Sequence, residues 1–322
     1  MPRRKPREIR SRRIQEQCFG MSNIKRILRN RNVIFLLALA AGLLAPHAVP
    51  VTRHLVLAAL GLAMALSMMD ITGDIFLRPR SLFFPALLGI VMSYVILGNL
   101  IIGISALLIR DEALWTGFVL LAAAPPAVAV IPFSGFLRGN GALSLIGTVG
   151  AYLGALAIIP LIFLRLLGSA TLDPYKLLMI ILELIVLPFA VSRLLIRRGW
   201  NKRLEPSRGA FTNWSFFVVL YTMIGLNHHI ILDGSTTLVT VALPSIMTMF
   251  ILGFLIDWVC SLFRIPPDAR TSLVLLGTLK NQALAGGLAL TLFTGAASLP
   301  AAVSSMVMIV YVIWLDFKKR WD

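Results

Sequence analysis

Residues 270–293 read RTSLVLLGTLKNQALAGGLALTLF. The stretch is long enough to cross a bilayer, for which ~20 apolar residues suffice, yet Lys280, Asn281 and Gln282 stand at its middle. Three adjacent polar residues cover more than half of a helix circumference, so at least one faces a cavity or another helix. A lysine near the bilayer centre costs ~2.5–3.5 kcal/mol on insertion scales. Lys280 therefore needs a carboxylate, a set of carbonyls or the loss of its proton. Its three functional roles are a fixed internal cation, a proton carrier and an anchor for an anionic substrate. Snorkelling to an interface is disfavoured, because it lies about ten residues from either end of the stretch.

The rest of the chain has the same character. Of 322 residues 58% are apolar and 14% charged, with mean hydropathy +0.87, whereas soluble domains are ~45–50% apolar and ~25% charged. Too few charges remain to coat a water-soluble surface. Apolar spans are expected at roughly 33–50, 55–76, 82–109, 113–137, 141–166, 176–196, 212–232, 236–259, 270–293 and 297–315. No ten-residue alternation of a barrel strand occurs, so the fold class is all-α, a polytopic membrane protein of ten transmembrane helices. The separators have turn chemistry: Pro46-His-Ala-Val-Pro50, Arg78-Pro79-Arg80, Arg138-Gly139-Asn140 and Pro266-Pro267-Asp268.

Topology follows from the basic residues. With the N-terminus inside, 25 of the 30 Lys and Arg fall on inner segments. Four (Arg53, Arg110, Arg165 and Lys176) fall on outer ones, and Lys280 is within a span. This bias predicts a multi-pass protein of the cell membrane with both termini cytoplasmic. Residues 1–32 form a basic arm suited to anionic headgroups, without the apolar run or cleavage site of a signal peptide. Met21 is an alternative start, and dropping residues 1–20 leaves the sign of the bias unchanged. The net charge of +16 thus reads as a topology signal rather than as nucleic-acid binding.

Ten spans divide evenly into two sets of five, and because five is odd the second set runs in the opposite sense. That is the inverted-repeat plan of many secondary transporters. The fourth member of each set is interrupted near its middle, by Ala122-Ala-Ala-Pro-Pro-Ala127 in one and by Lys280-Asn281-Gln282 in the other. Pro125 and Pro126 remove two backbone donors, and the carbonyls they free are tolerable at membrane depth only where protein or a wet cavity lines them. Paired broken helices point to a midplane binding site.

Acidic partners for Lys280 are sought at Asp70 in the second span and Glu183 in the sixth. Asp74 and Asp257 lie near helix ends, where carboxylates are ordinary. His228 and His229 are adjacent, so they should face different sides of a helix and not share a metal. Cys18 and Cys260 fit neither a disulfide framework nor a thiolate metal site, and no metal or cofactor is expected. Nor is an enzyme, because HExxH, a nucleophile elbow, Walker A and GxGxxG are all absent from the sequence.

The stretches AAAPPAVAVIPFSGFLRGNGALS at 122–144 and LGTLKNQALAGGLAL at 276–290 resemble the bile acid:sodium symporter superfamily. The first is similar to its Pro-Gly-Gly-Thr-type crossing, followed by a Ser-Asn pair and an Ala-Arg-Gly-Asp-x-Ala-Leu-Ser turn. The second is similar to its Glu-x-Gly-x-Gln-Asn-x-x-Leu segment, with Asn281 and Leu284 in register. The resemblance covers the chain from about residue 33 and implies a transmembrane transporter domain over 33–322. It implies a panel of about 33–76 and 176–232, a core of about 82–166 and 236–315, and broken helices four and nine that cross near the midplane.

The family's two sodium sites take oxygens from the Ser-Asn pair and from the Glu and Gln of helix nine. Here those positions read Val130 and Ile131, Leu276 or Gly277, and Lys280. Ser144 and Thr148 alone keep hydroxyls where the family places them. A hard cation needs several oxygens, so the family's two sodium sites are not expected to work, and an ammonium at a former ligand position would act as a tethered cation. The resemblance thus implies a symporter-type secondary transporter of a small, anionic organic solute. The substrate and ion site would comprise Pro125, Pro126, Val130, Ile131, Ser144, Thr148, Lys280, Asn281 and Gln282. Alternatives are an antiporter exchanging H+ or a cation such as Na+, with Lys280 and Asp70 or Glu183 carrying the proton, and a non-transporting membrane sensor of the same fold.

Overall fold

The computed structural model describes residues 31–70, 79–166, 179, 183, 186–233 and 236–321. Residues 1–30 of the basic arm, and Asp74, lie outside them. Among the described residues the chain is helical and forms no named strand, and six helices are long and apolar enough to span a membrane. Three shorter apolar helices, Val33–Leu44, Glu112–Ala123 and Gln282–Leu292, are what interrupted or short spans leave behind.

Among the described residues the first helices are α1 (Arg31–Leu44) and α2 (Val49–Ser67). Pro46-His-Ala-Val-Pro50 is not the open separator that its prolines suggest. Pro46–Ala48 makes a 3-10 turn and Pro50 sits in the first turn of α2, where a missing N–H costs nothing and the fixed φ suits a helix. The first span therefore ends earlier than expected and the second begins earlier. Next come α3 (Pro79–Ile90), a π-helical stretch Val91–Gly98 and α4 (Asn99–Leu108), forming one rod. After α5 (Glu112–Ala123) and α6 (Val130–Phe136) comes the long α7 (Gly141–Leu166).

The second half contains α8 (Leu187–Arg197), α9 (Trp200–Leu226) and the short α10 (His228–Leu232). A second rod then joins α11 (Thr236–Ile246), a π-helical stretch Met247–Ile251 and α12 (Leu252–Leu262). The chain closes with α13 (Pro267–Thr278), α14 (Gln282–Leu292) and α15 (Leu299–Trp321). A π-helix inserts an extra residue into the turn and commonly marks a functional position.

Packing sorts the helices into two groups. Helices α1, α2, α8 and α9 lie against one another, and the rods, broken helices, α7 and α15 form the other group. The groups touch where α9 and α2 meet α14 and where α9 meets α15. Within the second group α3 crosses α7 closely, because small residues let the backbones approach. A Cβ on Gly89 would stand 2.0 Å from the Gly147 carbonyl oxygen, and one on Gly150 would stand 2.5 Å from the Ala86 Cβ.

The turn Arg138-Gly139-Asn140 ties two ends together. Asn140 Oδ1 accepts from the Leu143 N–H at 2.9 Å and so caps α7, while its Nδ2 donates to Asp268 at 3.0 Å. Its backbone N–H donates to the Asp268 carbonyl at 3.0 Å, and Ser272 donates to its carbonyl at 2.9 Å. Asn140→Ala removes a cap and a side-chain tie, together about 1–2 kcal/mol. A lower melting temperature of the purified protein, with its helical circular dichroism retained, is the expected result.

Candidate functional site

Both interruptions form at the same level, each by its own chemistry. In the fourth span Pro125 and Pro126 cannot donate, so the carbonyls of Leu121 and Ala122 lose their helical partners. Ala124, which precedes a proline and is steered to extended backbone, has φ −62° and ψ 144°. In the ninth span there is no proline. Leu279 is extended, and the Asn281 side chain caps α14 by accepting from the Leu284 N–H at 3.0 Å. An asparagine that bonds its own backbone competes with a continuous helix. The two extended pieces pair antiparallel at Pro126 and Lys280, with Ala127 N–H to Leu279 O at 3.0 Å and Asn281 N–H to Pro125 O at 2.8 Å.

Lys280 lies inside this crossing and is 2% exposed. Its ammonium donates to Ala122 O at 2.7 Å, Ala124 O at 2.8 Å and Ser93 Oγ at 3.1 Å. The Ala122 carbonyl would take its helical bond from residue 126, which is a proline, so the lysine supplies the donor that Pro126 lacks. It also places a positive charge at the C-terminal, negative end of α5. All three donors of an ammonium are thus satisfied by neutral oxygens. The Tyr94 ring centroid lies 4.5 Å from Nζ, a cation–π contact. Gly98 clears the space, since a Cβ there would be 3.2 Å from Ala122 O and 3.9 Å from Nζ.

The neighbours are also buried. Asn281 Nδ2 donates to Tyr152 Oη at 2.8 Å. Gln282 Nε2, Ser144 Oγ and Thr148 Oγ1 are buried without hydrogen-bond partners among the described residues. Asn281 and Gln282 border a cavity of about 30 Å³ that is also lined by Phe35 of α1 and by Phe216 and Leu220 of α9. That cavity lies where the two helix groups meet.

Of the expected site residues, Pro125, Pro126, Lys280, Asn281 and Gln282 come together at the crossing, with Val130 buried at the start of α6. Val130, Ile131 and Leu276 bring no side-chain oxygen to it. Ser144 and Thr148 are buried on α7, but the ammonium bonds span-four carbonyls and not these hydroxyls. Glu183 is exposed, the Asp70 side chain lies outside the described residues, and the three Lys280 bonds go to neither. The His228 and His229 rings do not face apart. Their centroids are 3.8 Å apart, because Asn227 (φ −110°) breaks the helix just before them. No cluster of three metal-ligating side chains forms among the described residues.

Sequence reasoning missed Ser93, Tyr94 and Tyr152. The first two had a visible signal, a polar pair near the middle of the third apolar span.

The model of the SBF-like CPA transporter family (DUF4137) matches residues 81–315, well over half of the chain. The chain belongs to that family. This family is related to the bile acid:sodium symporter superfamily, and membership marks a multi-pass membrane transporter, in keeping with the apolar helices. The matched residues hold both interruptions, both π-helical stretches and Lys280. No curated protein matches the chain significantly.

Proposed function

We propose that this protein is a secondary transporter of the cell membrane that carries a small organic anion by alternating access. The observation that carries the proposal is Lys280, a buried ammonium held by neutral oxygens where two interrupted helices cross. A positive charge with no hydrogen-bonded carboxylate leaves the crossing able to accept an anion, and the N-terminal end of α14 adds favourable potential. The unpartnered Gln282 amide, on the small cavity between the helix groups, is a donor in search of a ligand.

In this proposal ten helices form two inverted repeats, with both termini cytoplasmic. The repeat is supported by two pairs of matching features: π-helical stretches in the third and eighth spans, and breaks in the fourth and ninth. The panel is spans one, two, six and seven, and the core is the rest. The core rocks against the panel about the α9–α14 and α2–α14 contacts. Purified protein in liposomes should move an organic anion found by a thermal-shift screen of anions and cations. Absence of any flux, with ligand binding intact, would favour a sensor instead.

Sodium is not the driving ion in this proposal, because Val130, Ile131 and Leu276 supply no side-chain oxygen to a cation. Replacing sodium by choline at fixed ionic strength and pH should leave uptake and ligand-induced stabilisation unchanged. A saturable rise with sodium would overturn it.

A further inference from the structure

Away from the crossing, the ends of α12, α13 and α15 and the turn after α6 enclose a cavity of about 340 Å³. Four cationic side chains line it, Arg138, Arg270, Lys318 and Lys319, against the one carboxylate of Asp257. Asp257 is shared by Lys318 at 3.2 Å and Arg270 at 3.8 Å, so among the described lining residues one carboxylate serves two cations while Arg138 has no ion-pair partner. Lys319 donates to Thr271 of the same wall. Arg138 is exposed and makes no ion pair with a described residue. Its backbone is held at φ 55° by the latched turn, a conformation that costs a non-glycine residue roughly 1–2 kcal/mol. The other wall is apolar and continues onto the outer surface through Phe254 and Trp314, 57% and 36% exposed.

We propose that this cavity binds a phosphate-bearing anion. A phosphate offers several acceptor oxygens to a converging set of guanidinium and ammonium donors, and it offsets the excess charge that the lone carboxylate leaves. The volume falls in the range of sites that take a whole small ligand, roughly 300–1,000 Å³. The apolar wall suits the glycerol and first acyl carbons of a phospholipid, but a soluble phosphate ester has the same anchoring group. The site shares α6 and α13 with the crossing, so an occupant would brace both broken helices on one side.

The test uses the full-length protein purified in neutral detergent. Melting temperature and native mass spectra are recorded against phosphatidylglycerol, phosphatidylcholine and glycerol 3-phosphate. We expect a saturable rise in melting temperature with phosphatidylglycerol or glycerol 3-phosphate, and none with phosphatidylcholine. The rise should weaken at high salt, because the contacts are ionic. Arg138→Gln, which breaks no described ion pair, should weaken apparent affinity at least tenfold. Arg138→Gln/Lys318→Gln should weaken it further, and the charge-matched Lys202→Gln outside the cavity should not. A response to the lipid alone names a headgroup as the source, and a response to glycerol 3-phosphate alone names a soluble ester. The proposal fails if neither probe binds, or if Arg138→Gln weakens binding no more than Lys202→Gln does.

Discussion

Lys280→Met should give a carrier that folds and inserts yet moves no substrate. The methionine fills most of the volume but withdraws three donors, so the carbonyls of Ala122 and Ala124 and the Ser93 hydroxyl lose their partner. A buried acceptor left unmade costs ~1–3 kcal/mol, offset in part by no longer desolvating a charge. The net expectation is a lower melting temperature with helical circular dichroism preserved. Function should suffer more. At an effective dielectric of ~20, a unit charge ~8 Å from a bound anion is worth ~2 kcal/mol, or roughly thirty-fold in affinity. Binding measured by thermal shift on the purified variant separates that loss from misfolding. Lys280→Arg then distinguishes the two roles of the charge. Arginine does not deprotonate in proteins, so a proton carrier would lose its pH optimum, whereas a fixed cation would show the same pH profile at whatever activity the larger head allows. A fully active Lys280→Met would refute both.

Gly89→Val is expected to abolish the fold. Its Cβ would sit 2.0 Å from Gly147 O and 2.4 Å from the same residue's carbonyl carbon, and backbone cannot swing aside as a side chain does. Overpacking a core commonly costs ~1–3 kcal/mol, and a clash with backbone on both the α3 and α7 sides belongs above that range. Gly103→Val, in the same rod, meets nothing within 4 Å and serves as the control. Size-exclusion profiles in detergent should show aggregate for the first and a single species for the second. A monodisperse Gly89→Val protein would mean that α3 and α7 do not cross as described.

Much of the architecture was legible because lipid imposes harsh rules. Apolar length anticipated the helices, six of which are long and apolar enough to cross a membrane among the described residues, and the two prolines together with the Lys280 triplet located the breaks. Proline was misleading at the separators Pro46–Pro50, Arg78-Pro79-Arg80 and Pro266-Pro267-Asp268, where the residue that interrupts a helix at its middle starts one at its end. The site was legible in its chemistry but not in its partners. That Lys280 needed carbonyls or a carboxylate followed from burial alone. That one of the carbonyls is Ala122's is explained by Pro126, whose missing N–H leaves it without a helical donor, whereas nothing in the sequence singled out the carbonyl of Ala124. Ser93 and Tyr94 were harder, because their contact with the ammonium depends on the π-helical stretch, which no residue pattern in 82–109 announces. The basic cavity was invisible as well, since its four cations come from three separate stretches of chain and meet only through folding.

A sodium ion at a crossing departs when its side of the carrier opens, but a lysine side chain stays. In the proposed alternating-access cycle, a Lys280 that keeps its proton leaves a positive charge permanently aboard the carrier. No ionic gradient is then drawn down in the cycle, so net accumulation must come from exchange against another solute or from the membrane voltage. An empty carrier shifts one charge through whatever part of the field its rocking spans, up to ~2.3 kcal/mol per 100 mV for the whole of it. A carrier loaded with a monovalent anion shifts none. Voltage should therefore govern the empty return, and the rate of exchange should be indifferent to it.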